Sequence, residues 1–552
     1  SVEHGELRTI RAAGIRWTAT PAGERVLAAL GNRLAQTLSG DGAAPVKSNP
    51  VRRVYRLGPL GLAEADEVFL KRFDETSVRA WSKRAVRGPA AAIEFRLLRQ
   101  AEQSGVPVPP PLAVGTALRH SFLLTASCRP AENLNAYLDC HGWDEPTARL
   151  LVQLLLASHS AGLLHRDLHA GNILYRAGES PRMWLLDLQR AGFHRRLTRR
   201  QVLDNLGMLV AGLSAWLDDG QIGRLLADYA ALSPMPVAEG GCFAAAVLAA
   251  AARHDAAQLR SRERDILSSG RYFARLRLPG GWSGHVFLRR RRQQADLASL
   301  AGESAFDLEQ WRTALTDIAR LIDGPCGPGE RVHRDKPGAR VVRRSLRLGP
   351  HPLDVFVKQR RRSPAGALLD LFRGWRARAA FRQGHRLLMR GVPTPMPLAC
   401  LVRRRAGLPV ESVLITEAVE DSVSLYKFAR NRLPSLPPGE QVRVRQDIAR
   451  QIGRAAARLW QAGLIHRDLK PSNILVCHRP GGQPRVLLID LDGLRRSLGA
   501  RARALARLAR SAAELPGATR TDFVRLVREF HDQADSFKPL LRKMMRNMQA
   551  HK

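Results

Sequence analysis

HRDLHAGNIL at His165–Leu174 and HRDLKPSNIL at His466–Leu475 are one pattern written twice. The residues around them repeat as well. AGLL precedes the first and AGLI the second, and each is followed by an apolar run carrying one Asp, LLDL at Leu185–Leu188 and LIDL at Leu488–Leu491. Upstream, GVPVP at Gly105–Pro109 returns as GVPTP at Gly391–Pro395, VFLK ending at Lys71 returns as VFVK ending at Lys358, and RLGP occurs at Arg56 and at Arg347. The order is the same in both halves, with the lysines 287 residues apart and the HRD aspartates 301 apart. A period of that length is a duplicated domain, since solenoid repeats run to 20–50 residues or so. The copies are read as residues 1–261 and 262–552, the second opening near the hairpin pattern RLRLPGGWSGHVFL (Arg275–Leu288).

Periodicity places the pieces on elements. EVFLK and DVFVK are short β-rich runs ending in Lys. Ala90–Gln103 carries apolar residues at helical spacing and is stopped by the proline-rich segment after it. Thr147–Leu164 reads as one long buried helix leading into HRDL, and MWLLDL and RVLLIDL read as apolar strands. Leu197–Leu232 and Leu498–Phe530 read as helical. A small β-rich lobe followed by a mainly helical lobe is therefore expected twice, an α+β fold.

The recurring polar set is Lys71, Asp167, Asn172 and Asp187 in the first copy and Lys358, Asp468, Asn473 and Asp490 in the second. Phosphoryl transfer needs positioning and charge neutralisation more than covalent chemistry, and these residue types suit it. A strand lysine holds phosphates, the HRD aspartate orients an attacking hydroxyl, and the Asn and the later Asp offer the oxygen donors that Mg²⁺ prefers. The second Asp follows the first by 20 and 22 residues, room for a hairpin that returns both carboxylates to one cleft.

With these motifs the chain resembles the protein-kinase-like superfamily, and within it the lipopolysaccharide kinases that phosphorylate Kdo or heptose of the inner core. DLQRAG and DLDGLRR stand in place of DFG, and no APE segment follows. A GxGxxG loop is missing; LGPLG (Leu57–Gly61) and LGPHP (Leu348–Pro352) are read as standing where it should be. The resemblance implies two tandem bilobal kinase-like domains, ATP and Mg²⁺, a glycolipid acceptor in the lipopolysaccharide core, and a cytoplasmic enzyme working at the inner face of a membrane. A kinase acting on protein or on a small molecule, and a nucleotide-binding module without catalysis in one or both copies, are the alternatives.

The copies differ. Glu94 lies on the helix after Lys71, as an ion-pair partner for that lysine or as a solvated face residue. The matching helix of the second copy (RARAAFRQGHRLLMR) has no carboxylate; aligning RLL with RLL puts Gly384 opposite Glu94, with Asp370 as the one acid nearby. Lys470 follows Asp468 by two residues, as in many kinases of hydroxyl groups, where the first copy has His169. His165 and His466 follow apolar helices and are read as packed residues rather than bases. The tryptophans at 17, 184, 282 and 311 are read as core, and His333–Asp335, an HRD with no spaced Asn, as a coincidence in a surface loop.

Lys plus Arg number 88 against 50 Asp plus Glu, a net charge of +38 on a chain that is 45% hydrophobic and 6% aromatic. That composition is globular, and the charge favours anionic partners, or in part a GC-rich coding bias. Nothing resembles a nucleic-acid-reading fold, so no nucleic acid partner is expected. Six cysteines without a CxxC pair suggest neither zinc nor disulfides, and so a reducing cytosol. No apolar run is long enough to span a bilayer and the first residues lack a signal-peptide core. Basic runs at Arg289–Gln294, Gln359–Arg362 and Arg403–Arg405 are solvated faces or contacts to an anionic membrane surface. The tail Lys538–Lys552, with Leu540, Leu541, Met544, Met545 and Met548 at helical spacing, fits a helix on such a surface or one packed on its own domain.

Overall fold

The computed structural model describes residues 6–40, 44–49, 51–63, 65–234, 242–290, 305–349, 351–363, 365–368, 375–466, 468–479, 481–491, 494–496, 508 and 515–529. The tail read as amphipathic, Asp370, and most of Leu498–Phe530 lie outside these residues. The chain divides into two compact units, Ser1–Ala257 and Gln258–Lys552. The dividing point falls inside the helix Phe243–Asp265, whose last turn belongs to the second unit through one buried carboxylate. Glu263 accepts from Arg386 Nε at 2.8 Å and pairs with Arg390. Burial pushes this acid up, but the two guanidinium groups more than offset it and hold it below the usual range.

In the first unit seven strands form one antiparallel sheet. They are β1 (Arg8–Ala12), β2 (Ile15–Ala19), β3 (Lys47–Asn49), β4 (Arg52–Leu57), β5 (Val68–Asp74), β6 (Pro111–Thr116) and β7 (His120–Ala126), in the order β1-β2-β6-β7-β5-β4-β3. The second unit repeats the sheet with β8 (Phe273–Leu278), β9 (Trp282–Phe287), β10 (Arg331–Lys336), β11 (Ala339–Leu348), β12 (His351–Arg361), β13 (Pro397–Arg405) and β14 (Leu408–Glu417), ordered β8-β9-β13-β14-β12-β11-β10. Both hairpins that open the units follow from alternation around a glycine turn, with Trp17 and Trp282 buried on the inner face. Trp311 is buried too, whereas Trp184 is half-buried with the Arg176 guanidinium 5.3 Å from its ring.

Helix α1 (Pro21–Ser39) covers one face of the first sheet with Val26, Leu27, Leu30 and Leu34, while α2 (Val78–Arg87) and α3 (Ala90–Gln103) follow the lysine strand. Truncating a fully buried side chain such as Trp17 costs about 3–5 kcal/mol. The remaining core of the first unit joins α3 to the helices Glu145–Ser160, Arg199–Leu213 and Asp219–Leu232. The helix expected over Thr147–Leu164 ends at Ser160, because Gly162 adopts φ +75° and turns the chain into a short strand, Leu163–Leu164. A side chain there would meet the His194 carbonyl oxygen at 1.9 Å, so only glycine fits. Gly463 takes φ +69° at the same place in the second unit.

His333–Asp335 lies on β10, an exposed edge strand with an irregular register between Val332 and Arg334, and not in a loop. Among the described residues no helix is long and apolar enough to cross a membrane, and all six cysteines are free thiols.

Candidate active site

Lys71 sits mid-strand on β5, where pairing with both β4 and β7 fixes its backbone. Its Nζ lies 2.6 Å from Glu94 Oε1, and Glu94 on α3 is fully buried rather than on a solvated face. A buried carboxylate of this kind is tolerated only when paired, and Glu94 Oε2 has no hydrogen-bond partner among the described residues.

The HRD segment is held by the same lattice in both units. His165 Nε2 donates to the Leu186 carbonyl at 2.9 Å and His466 Nε2 to that of Ile489 at 3.0 Å. Both imidazoles are buried, and burial lowers their pKa, so they are neutral packed residues that brace the loop. Asn172 Nδ2 donates to the Asp167 carbonyl at 2.8 Å, and Asn473 Nδ2 to that of Asp468 at 2.8 Å. Each amide nitrogen is thereby committed, which leaves the amide oxygen as the group available to a cation. Asp187 and Asp490 both adopt the left-handed backbone conformation, φ 59° and 61°, which costs a non-glycine residue about 1 kcal/mol or more. The same strained geometry at the same place in two copies is a mark of function.

Asp187 also accepts from Arg52 Nη1 at 2.9 Å. Burial pushes its carboxyl up, but Lys71 and Arg52 outweigh that and hold it below the usual carboxylate range. In the second unit Lys470 Nζ lies 2.7 Å from Asp468 Oδ2, and this contact lowers the Asp468 pKa. His169 Nε2 stands farther from Asp167, at 3.9 Å.

A cavity of about 360 Å³ in the first unit brings together Lys71, Glu94, Asn172, Asp187, Lys47 and Arg52. One of about 300 Å³ in the second brings together Lys358, Asn473, Asp490, Arg334, Ala380 and Thr394. Asp167 and Asp468 do not line these cavities; their side chains are nearly half exposed, at 47% and 42%. Asn172 with Asp187, and Asn473 with Asp490, are paired hard oxygen donors of the kind that suits Mg²⁺.

Two placements differ from the sequence reading. Val106 N donates to Ala101 O and Val392 N to Leu387 O, so the two helices end alike. Counting back from that shared end puts Ala380, not Gly384, in the place of Glu94. Aligning on RLL slips the helix by four residues, about one turn, which keeps the same face and so hides the error. Gly384 instead packs under Pro397, whose Cγ lies 2.4 Å from where a Cβ would be. Secondly, LGPLG and LGPHP leave β4 and β11 at the ends that connect to the lysine strands, and none of their described residues lines the cavities. The hairpins that do line them are β3–β4 and β10–β11. Sequence reading missed their basic residues, although Lys47 and Arg334 each stand 24 positions before the lysine.

A sheet bearing a lysine, a helical lobe bearing HRD and Asn, and a strained Asp after the following strand define a protein-kinase-like fold, present twice. The chain belongs to the lipopolysaccharide kinase (Kdo/WaaP) family, whose profile matches residues 42–229 and 368–530. The second match begins after Lys358. A 3-deoxy-D-manno-octulosonic acid kinase of Xylella fastidiosa (strain M12) is 32% identical over 191 residues, 32% of this chain and 71% of that protein. The enzyme of that name from Actinobacillus succinogenes is 33% identical over 105 residues, 18% of this chain, which spans 44% of that relative's length. A probable serine/threonine-protein kinase BUD32 homolog of Archaeoglobus fulgidus is 36% identical over 75 residues, 13% of this chain and 33% of that protein. Among solved structures, WaaP in complex with acyl carrier protein aligns with 24% identity and a TM-score of 0.30, over 42% of this chain and 96% of that one.

Proposed function

We propose that the chain is an ATP- and Mg²⁺-dependent phosphotransferase acting on sugar hydroxyls, heptose or Kdo, of the lipopolysaccharide inner core. The kinase domains would be residues 1–261 and 262–552. The observation that carries this reading is the duplicated constellation, with a lysine, an amide oxygen and a strained carboxylate around one cavity in each unit. Lys71, oriented by Glu94, holds the α- and β-phosphates in the first copy, and Lys358 does so in the second. Asn172 with Asp187, and Asn473 with Asp490, hold Mg²⁺, which when bound neutralises charge on the transferring phosphoryl group. Asp167 and Asp468 orient the acceptor hydroxyl from the solvent side, with Lys470 beside Asp468 as a further cation for the phosphoryl group.

The enzyme would work in the cytoplasm at the inner face of the membrane holding its acceptor. An anionic membrane surface as partner is supported by α2, a helix rich in Arg and Lys on which Trp81 and Val86 are 60% and 84% exposed. A transfer assay to core glycolipid with Asp167→Ala, Asp468→Ala and the double variant tests the function. Loss of one phosphate in each single variant and of both in the double is expected. Transfer to a peptide and not to glycolipid would favour the second reading, a protein kinase, which the similarity to the Archaeoglobus protein supports. ATP binding without any transfer would make the chain a nucleotide-binding module.

A further inference from the structure

Register in the two sheets uncovers a charge pattern that neither sequence copy displays. In the first, Lys47 pairs with Val54, and Val54 pairs with Lys71. In the second, Arg334 pairs with Val341, and Val341 with Lys358. Lys47 and Arg334 therefore hold the same place, two strands from the lysine. Two residues along the strands, the cross-strand pair is Arg52 with Phe73 in the first copy and Ala339 with Arg360 in the second. The guanidinium has moved from one strand to its neighbour while staying at the same position of the sheet. A two-residue step keeps these side chains on the face of the lysine, and all six cations line their cavities.

We infer that each cavity grips the nucleotide's phosphates with a triad of side-chain cations: Lys47, Arg52 and Lys71 in the first copy, Arg334, Arg360 and Lys358 in the second. The triad takes the place of a glycine-rich backbone cradle. This rests on the nucleotide-binding reading above. The chemistry of the hairpins supports it, the first having no glycine in its turn and the second a single one, Gly338. The segment between β3 and β4 contains Pro50 and no glycine, so it lacks the run of close-approaching amide donors that such a cradle uses. Arg52 spans from β4 to Asp187 across the cavity, so its guanidinium already stands beside the carboxylate proposed to hold the metal. A cation arrangement kept by charge and place but not by residue identity is what a polyanionic ligand requires, whereas sheet packing requires no charge there at all.

The test measures nucleotide binding to the full chain by calorimetry, with the phosphate count varied. Wild type is expected to bind two ATP. Lys47→Met with Arg52→Met weakens one site tenfold or more, and Arg334→Met with Arg360→Met weakens the other. The loss is larger for ATP than for AMP, adenosine competition is unchanged, and Arg52→Lys restores most of the first site. Equal weakening of ATP and adenosine would reduce the triad to a structural role and overturn the inference. So would ATP affinity unchanged in both double variants. A wild-type chain that binds no nucleotide overturns the functional reading itself, an outcome separate from either of these.

Discussion

Lys71 Nζ and Glu94 Oε1 lie 2.6 Å apart, with the carboxylate fully buried, whereas the helix position facing Lys358 carries Ala380. One lysine is thus held by a fixed counter-charge and its counterpart has none on the matching helix. Glu94→Gln keeps the shape and removes the charge, leaving a mostly buried ammonium group short of its partner. In an Asp468→Ala background, transfer by the first copy should fall about 10²-fold, since misplacing a phosphate-holding group by an ångström costs that much. Unfolding stability should drop by on the order of 2 kcal/mol. Transfer within twofold of the parent would show that the pair does not set the lysine.

The second copy invites the reverse experiment. Ala380 is 6% exposed and lines the cavity with Lys358, so Ala380→Glu brings a carboxylate to the place that Glu94 has in the first. In an Asp167→Ala background this variant should raise second-copy turnover several-fold if the missing partner limits it. Turnover that falls, with ATP affinity unchanged, would mean that the second lysine is already oriented by other groups.

Cavity charge predicts how the copies respond to metal removal. Among the described residues, four cations and three carboxylates line the first cavity, and four cations and one carboxylate line the second. A bare nucleotide polyanion is therefore repelled more in the first, where a divalent ion held by Asn172 and Asp187 would offset that repulsion. Adding a chelator should weaken ATP binding at the first site by at least tenfold and at the second by much less. Dialysis with the site variants Lys71→Met and Lys358→Met separates the two sites; equal sensitivity would contradict the charge argument.

What was legible in the sequence was whatever is local and repeated. HRD with Asn five residues on, the strand-ending aspartates, and the helix Ala90–Gln103 carry their geometry in short-range spacing. Partners that meet only through sheet register were not legible. Lys47 and Arg334 lie on strands whose pairing no short motif announces, and Arg52 and Arg360 match only once the two sheets are aligned strand by strand. Sequence alignment sets Gly384 opposite Glu94, where the fold sets Ala380, because a four-residue slip is nearly invisible on a helix. The edge strand bearing His333 reads as a loop in the sequence because its residues are all exposed, so it lacks the apolar alternation that marks a strand.

The first unit should also be the more acid-sensitive, through a residue away from the cavity. His159 is 2% exposed, with Nε2 3.0 Å from Asn205 Oδ1 and Nδ1 2.7 Å from the Tyr229 hydroxyl. Asn205 Nδ2 donates to the His165 carbonyl, which orients the amide, so the neutral imidazole donates through Nε2 and accepts from Tyr229 through Nδ1. Burial pushes the His159 pKa down to about 4. The unfolded chain, with an ordinary value near 6.5, therefore binds the proton first. Stability from this group is complete above about pH 6.5 and is lost as pH falls toward 4, by up to about 3 kcal/mol. His165 in the first unit, and His466, His285 and His333 in the second, are also lowered by burial and act in the same sense, but the second unit has Trp460 at the place of His159. Urea unfolding at pH 7.5 and pH 5, followed unit by unit with hydrogen exchange, should show the larger loss in the first. His159→Gln should lower stability at pH 7.5 and flatten the pH dependence of the first unit, which ties the acid loss to this imidazole. A variant that keeps the parent's slope would assign the sensitivity elsewhere.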